Sequence, residues 1–234
     1  MADKTIRELI WGENPLNGID VQAHPDDTQG WNSTHSFFEP LIKLTQPKLI
    51  VEVGTWKGGS AIHMARICKS LGLSTEVVCV DTWLGSPEHF ADTKNEFVQT
   101  LRYTNGWPNL YYTFASNVIR AGLADQITPL PLPSESAIEV LKRLNASVDL
   151  IHIDGAHEYE PALRDIACYW EILRPEGVMI CDDYAGWPGV TKAVNEFFGQ
   201  QGVPIYSSFG KAFARKGGNC MFELAITVNA ELGR

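Results

Sequence analysis

The feature that most limits how this chain can fold is a regular alternation. Between about residue 47 and residue 200, short β-branched apolar runs take turns with longer stretches of helical period. "KLIVEVG", "TEVVCVD", "VDLIHID" and "GVMICDD" are apolar runs too short for helices, each closed by glycine or aspartate. Such runs read as strands buried on both faces. "GGSAIHMARICKSLG", "SAIEVLKRLN", "YEPALRDIACYWEILRP" and "VTKAVNEFFGQQG" read as the helices between them. The alternation predicts an α/β fold with a doubly wound, mostly parallel sheet. A third strand, "ITPLPLP", belongs at an edge because its prolines cannot donate to a ladder. "HSFFEPLIKLTQP" reads as a helix stopped by Pro47, and residues 83–126 as a loop with one or two helices. Residues 1–35 read as a short helix and an irregular, Trp-bearing arm or lid, ahead of one domain over residues 36–234. The end, "VPIYSSFGKAFARKGGNCMFELAIT", is expected to form an antiparallel hairpin turning around residues 216–219.

The bulk composition excludes several classes. With 234 residues, 44% hydrophobic and 20% charged, the chain can bury a sizeable core. Its net charge of −9 argues against a broad nucleic-acid or anionic-membrane surface. No apolar run approaches a membrane span, and "MADKTIRELIW" lacks the layout of a signal peptide. The cysteines, Cys68, Cys79, Cys168, Cys181 and Cys220, are odd in number, sit mostly in apolar segments and form no C-x-x-C pair. They read as free thiols, and the expected location is cytoplasmic. Self-association stays open.

The loop "VEVGTWKGGSA" joins the first strand to its helix. It is neither G-x-G-x-x-G nor a Walker loop. What remains is E-x-G-x-x-x-G, with Glu52 as the acid and Gly54 and Gly58 permitting a tight turn. Thr55 and Ser60 lie beside them. A ligand with a cationic amino-acid end and no pyrophosphate suits this loop, and S-adenosylmethionine is one. Asp81, ending "VVCVDTW", is placed to accept both ribose hydroxyls, with Thr82 next to it. An N-cap role competes for either residue. Ser134 in "LPSES" is placed either near the adenine or as a helix cap.

Two more strands end in acids. "DLIHIDGAHEYE" carries Asp154 and His157, and "GVMICDDY" carries Asp182 and Asp183. Neighbouring parallel strands lie about 4.8 Å apart, so both ends can serve one ion. Three converging carboxylates without a cation would repel one another, and hard oxygen ligands suit magnesium. His157, three positions after Asp154, has the ordinary pKa of a base that works near neutrality. His152, inside a strand, reads as a satisfied core histidine. Trp170, Tyr169 and Ile172 read as helix packing and Lys57 as solvated. Trp83, Trp107 and Trp187 read as packing or as a substrate wall, with Tyr184 near the acceptor.

Taken in order, these motifs resemble the class I S-adenosylmethionine-dependent methyltransferases. They are more narrowly similar to the metal-dependent branch with the macrolide-sugar and aminocoumarin-sugar O-methyltransferases and the cephamycin-pathway protein. "DTWLGSPEHF" and "FASNVIRAGLADQI" share that likeness, which covers roughly residues 36–225. The resemblance implies a seven-stranded, Rossmann-like sheet. It implies a magnesium or other divalent ion on Asp154, Asp182 and Asp183, and His157 as general base. The methyl donor would be held by Glu52, Gly54, Thr55, Gly58, Ser60, Asp81, Thr82, Ser134 and Asp154. The implied reaction is O-methyl transfer to a hydroxylated small molecule, a sugar or other vicinal diol. Residues 11–35, 83–108 and 184–189 would line the acceptor pocket. A catechol or amine acceptor and a non-catalytic S-adenosylmethionine-binding protein are the alternatives. A nicotinamide enzyme is disfavoured by the missing G-x-G-x-x-G.

Overall fold

The computed structural model describes residues 4–91, 94 and 96–217. Its centre is a seven-stranded sheet in the order β3-β2-β1-β4-β5-β7-β6. The strands are β1 (Leu49–Val53), β2 (Glu76–Val80), β3 (Ile127–Leu130), β4 (Val148–Ile153), β5 (Leu173–Cys181), β6 (Tyr206–Ser208) and β7 (Lys211–Arg215). β1 to β5 pair in parallel, and β7 pairs antiparallel with β5 and β6. β3 lies at the edge, as its prolines require.

The strand period of two sorts residues between the faces of the sheet. Ile50, Leu150, Ile180 and Phe213 point to α2 (Phe38–Thr45), α3 (Gly59–Ser70) and α6 (Leu110–Arg120). Val51, Val53, Ile151, Met179 and Ala212 point to α7 (Ser134–Arg143), α8 (Tyr159–Ile172) and α9 (Pro188–Gln201). Trp170, Tyr169 and Ile172 pack in this second core. Two short helices, α4 (Pro87–Ala91) and α5 (Glu96–Thr100), fill the connection after β2.

A hairpin turn that was not expected stands ahead of the expected one. Phe209 and Gly210 join β6 to β7 with φ of 48° and 85°. Two left-handed residues match the right-handed twist of the strands, but Phe209 carries no turn signature; the turn expected around residues 216–219 lies partly outside the described residues. The second half of the expected hairpin, with Cys220, lies outside the described residues. Cys68, Cys79, Cys168 and Cys181 are free thiols. Among the described residues, no helix is long and apolar enough to cross a membrane.

The arm begins with α1 (Ile6–Ile10), closed by a Thr5–Glu8 capping box. The Glu76 carboxylate accepts from the backbone N–H of Ile6 at 2.7 Å and of Arg7 at 2.8 Å. The arm then crosses α6, where Arg120 donates to the carbonyls of Pro25 and His24 at 2.8 and 2.7 Å. It reaches the glycine loop, where Lys57 Nζ lies 2.8 Å from Asp27 Oδ2. Lys57 is therefore not solvated as expected: its exposure is 4% because the arm covers it. The arm ends at the hairpin, where the ring of His35 meets Ser208 O at 3.2 Å.

Candidate functional site

Sheet hydrogen bonding runs one step past the last strand residues. Gly54 N–H donates to Val80 O at 2.9 Å, Asp154 N–H to Val53 O at 2.8 Å, and Asp182 N–H to Ile153 O at 2.9 Å. Asp81, Gly54, Asp154 and Asp182 thereby stand side by side at the carboxyl ends, where open α/β sheets bind ligands. Gly54 has φ +82°, and a Cβ on it would collide with the Asp154 carbonyl and lie 2.8 Å from Gly155 Cα. A Cβ on Gly58, at φ +85°, would lie 2.9 Å from the Phe114 ring. Both glycines thus also serve close approach within the protein, where a side chain would strike the Asp154–Gly155 backbone or the Phe114 ring.

Asp81 turns back onto this loop. Its Oδ2 accepts from the backbone N–H of Thr55 and of Trp56, both at 2.9 Å, and its Oδ1 from that of Trp83 at 2.7 Å. Burial pushes its pKa up against these three bonds. Asp81 therefore shapes the loop whatever else it touches. Thr82 Oγ1 accepts from Leu84 N–H at 3.2 Å. Ser134 Oγ donates to Asp165 Oδ1 at 2.6 Å and so faces α8. It does not cap α7, whose N-cap is Pro133.

Glu52 and Ser60 lie beneath the loop. Glu52 is 0% exposed, and its Oε1 accepts from Ser60 Oγ at 2.5 Å and lies 3.0 Å from His152 Nδ1. Its Oε2 is buried without a hydrogen-bond partner among the described residues. Glu52 and His152 are paired in the β1–β4 register, so His152 is a partnered core residue as expected. Its Nε2 lies 3.7 Å from Asp182 Oδ2. Burial and Lys211 lower the His152 pKa, but Asp182 and Glu52 outweigh them and set it at about 9.

The three acids line one pocket with Gly155, Ala162, Ile166 and Val190. Asp182 is 6% exposed and makes an ion pair with Lys211. Burial alone would raise its pKa, yet His152 and Lys211 hold it well below the usual carboxylate range. Asp154 is the opposite case. Burial and then the Asp182 charge push it up to about 7. Among the described residues, none donates a hydrogen bond to its carboxylate. Asp183 sits at φ 59°, and its carbonyl accepts from Gly186 and Trp187 N–H, both at 3.0 Å. A non-glycine residue in that region is strained, as functional turns often are.

His157 reaches the same cluster. Its Nε2 is 3.0 Å from Asp183 Oδ2 and its Nδ1 is 3.4 Å from Glu88 Oε1. Its ring stacks on Trp187 at 4.1 Å and 7°. The Asp183 hydrogen bond raises its pKa against the cost of burial. Trp83, at 1% exposure, is packing; Trp107, at 67%, stands in solvent. Tyr184 donates its hydroxyl to Asn195 at 3.0 Å.

The donor set suits a hard divalent cation. Asp154 has no hydrogen-bond donor among the described residues, and His152, Asp154 and Asp182 bring ligand atoms within 4.8 Å of one another; Asp183 is outside this group, its carboxylate turned to His157 at 3.0 Å. His152, pushed up in pKa, is the poorest ligand of these, which leaves oxygens. The bare backbone at Gly54 and Gly155, flanked by Asp81 and Asp154, likewise suits a cationic methyl donor.

A family model for a methyltransferase domain matches residues 51–184, more than half of the chain. The chain belongs to this methyltransferase-domain family. It is 24% identical over 163 residues to the uncharacterized protein R132 of Acanthamoeba polyphaga mimivirus, covering 68% of this chain and 63% of the relative. It is 32% identical over 73 residues to the rhamnosyl O-methyltransferase of Mycobacterium tuberculosis, covering 31% of this chain and 27% of that enzyme. The chain thus spans less than two thirds of the length of either. Among solved structures, the O-methyltransferase TomG from Streptomyces achromogenes in complex with S-adenosylmethionine has a TM-score of 0.54 at 16% identity, covering 82% of this chain and 83% of TomG. CalS11, a TDP-rhamnose 3′-O-methyltransferase, scores 0.53 at 18% identity, covering 80% and 78%. Both share the Rossmann-like methyltransferase fold.

Around the acid cluster, sequence reading missed Glu88 and Lys211. Glu88 offered no signal, because only folding brings α4 to His157. Lys211 did: the alternation in "KAFAR" puts it on the inward face with Phe213.

Proposed function

We propose that this protein is an O-methyltransferase that moves a methyl group from S-adenosylmethionine to a hydroxyl of a sugar or similar vicinal diol, with a divalent cation. The observation that carries this reading is the meeting of Asp154, Asp182 and Asp183 in one pocket beside the glycine loop of a methyltransferase-family domain. The rhamnose-directed enzymes among its relatives favour a sugar acceptor. Asp154, Asp182 and Asp183 would hold magnesium, which when bound supplies Lewis-acid polarisation of an acceptor hydroxyl. Asp81 fixes the turn of the glycine loop, so the backbone facing the donor is set before binding. Glu52 and Ser60 brace the loop from below. His157, stacked on Trp187 and steadied by Glu88 at Nδ1, would receive the acceptor proton at Nε2 once the Asp183 carboxylate turns to the cation and leaves that nitrogen free. Transfer needs the hydroxyl oxygen in line with the methyl carbon and sulfur, so the protein contributes mainly alignment. The arm meets the glycine loop, where Asp27 pairs with Lys57 and Gln29 with Trp56, and would form one wall of the acceptor site.

The test is calorimetry with S-adenosylmethionine and NAD, then turnover with rhamnosides, nucleotide-linked deoxysugars and catechols in magnesium. The methyl donor binds and NAD does not. Asp154→Asn and Asp182→Asn keep donor binding and lose about 100-fold or more in kcat, the scale of removing one electrostatic stabiliser. Full activity of both variants in chelator would remove the metal from the reading. Binding of NAD in place of the donor would remove the reading itself.

A further inference from the structure

A lysine shut off from solvent is rare, because its charge must be answered inside the protein. Lys211 is 0% exposed and does not appear in the proposed reaction. It opens β7 on the face covered by α2, with Nζ 5.2 Å from the centroid of the Phe38 ring. Its ammonium is paired with Asp182 and lies 3.2 Å from His152 Nε2. Glu52, His152, Asp182 and Lys211 therefore make one buried row of acid, base, acid and base, crossing the sheet from β1 to β7. Asp183 has its own partner in His157 at 3.0 Å. Of the three acids, Asp154 has neither an ion-pair partner nor a hydrogen-bond donor among the described residues.

We infer that Lys211 is an internal cation of the acid site: a positioning residue that fixes Asp182 and makes the trio a weak, single-ion site for divalent metal. This rests on the reading of Asp154, Asp182 and Asp183 as metal ligands. Three free carboxylates would draw a divalent ion strongly, whereas an ammonium on one of them cancels a charge and repels the incoming ion. The row holds Asp182 in place without the ion, so metal can exchange while the pocket keeps its shape.

The probe is Mn2+ alone, titrated by calorimetry into the wild type, Lys211→Met and Lys211→Arg. Lys211→Met binds about 10-fold tighter or more, the size of one lost like-charge contact at a partly screened site. Lys211→Arg stays near the wild type. Equal or weaker binding by a folded Lys211→Met overturns the inference. Binding by Lys211→Met with none by the wild type supports it, while removing metal from the proposed reaction. Binding by neither overturns both. If Lys211→Met fails to fold, the wild type labelled with 15N-lysine decides: the Lys211 Nζ signal, assigned by its absence from Lys211→Arg, shifts with added Mg2+ and saturates with the calorimetric curve. A signal that stays still while Mg2+ binds overturns the inference. Asp154→Asn separates the two readings. If it abolishes binding while Lys211→Met leaves it unchanged, the metal site stands and the role of Lys211 falls. If it leaves binding intact, the metal site itself falls.

Discussion

Asp81→Asn separates two roles that the sequence leaves merged. If Asp81 only received a ribose, its loss would weaken donor binding and leave the apo protein alone. The structure gives the carboxylate three backbone N–H donors at 2.7–2.9 Å. Hydrogen bonds to a charged group contribute about 1.5–3 kcal/mol each. Asparagine has one acceptor oxygen where aspartate has two. Either orientation of the amide turns an NH2 toward N–H donors. Facing Trp83 it loses one bond; facing Thr55 and Trp56 it loses two. Asp81 is half-buried, so water and loop relaxation recover part of the loss. The expected cost is about 2–3 kcal/mol, from at least one charge-assisted bond. For a chain of this size that lowers Tm by roughly 4–12 °C. Urea unfolding of the ligand-free protein measures it directly. A change below about 0.5 kcal/mol, the range of ordinary surface substitutions, would refute the loop-holding role and restore the ribose role alone.

Two further perturbations test the frame around the site. His35 Nδ1 accepts from Phe37 N–H at 3.0 Å while its Nε2 meets Ser208 O, and burial together with Lys211 lowers its pKa. A lowered folded-state pKa means the neutral ring is the stabilising form. Its contribution is complete above pH 6.5 and fades as pH falls below that value. Urea stability of His35→Asn will therefore change less between pH 7.5 and 5.5, both about one unit from the free value, than that of the wild type; equal slopes would refute this. Gly189, in the first turn of α9, faces the loop of His157: a Cβ there would strike His157 O and lie 2.8 Å from Tyr159 N. Gly189→Ala should cost about 1–3 kcal/mol, as overpacking does, and displace His157 from Trp187. Unchanged Trp fluorescence and an unchanged unfolding midpoint would count against that contact.

Local chemistry carried most of the fold. The apolar runs of β1, β2, β4 and β5 exclude water on both faces, and only a covered parallel sheet accepts a series of such strands joined by helices. The prolines of "ITPLPLP" remove ladder donors, which sends β3 to the edge. Acids at the ends of β4 and β5 were legible because an unpaired charge is costly inside a buried strand and least costly where the strand emerges. The hairpin turn was not legible, since Phe209 takes a left-handed conformation that its side chain disfavours and only the neighbouring strands impose.

Tertiary structure decided what each of these side chains touches. Cross-strand register pairs Glu52 with His152, a partner a hundred residues away. The order of strands, with β7 beside β5, carries Lys211 to Asp182. Folding of the loop gives Asp81 to Thr55, Trp56 and Trp83, and folding of α4 gives Glu88 to His157. Propensity and periodicity act over a few residues and so determine elements and the ends at which a site forms. Charge pairing acts through space, so which acid keeps an unmet charge, here Asp154, follows only from the packed arrangement of strands.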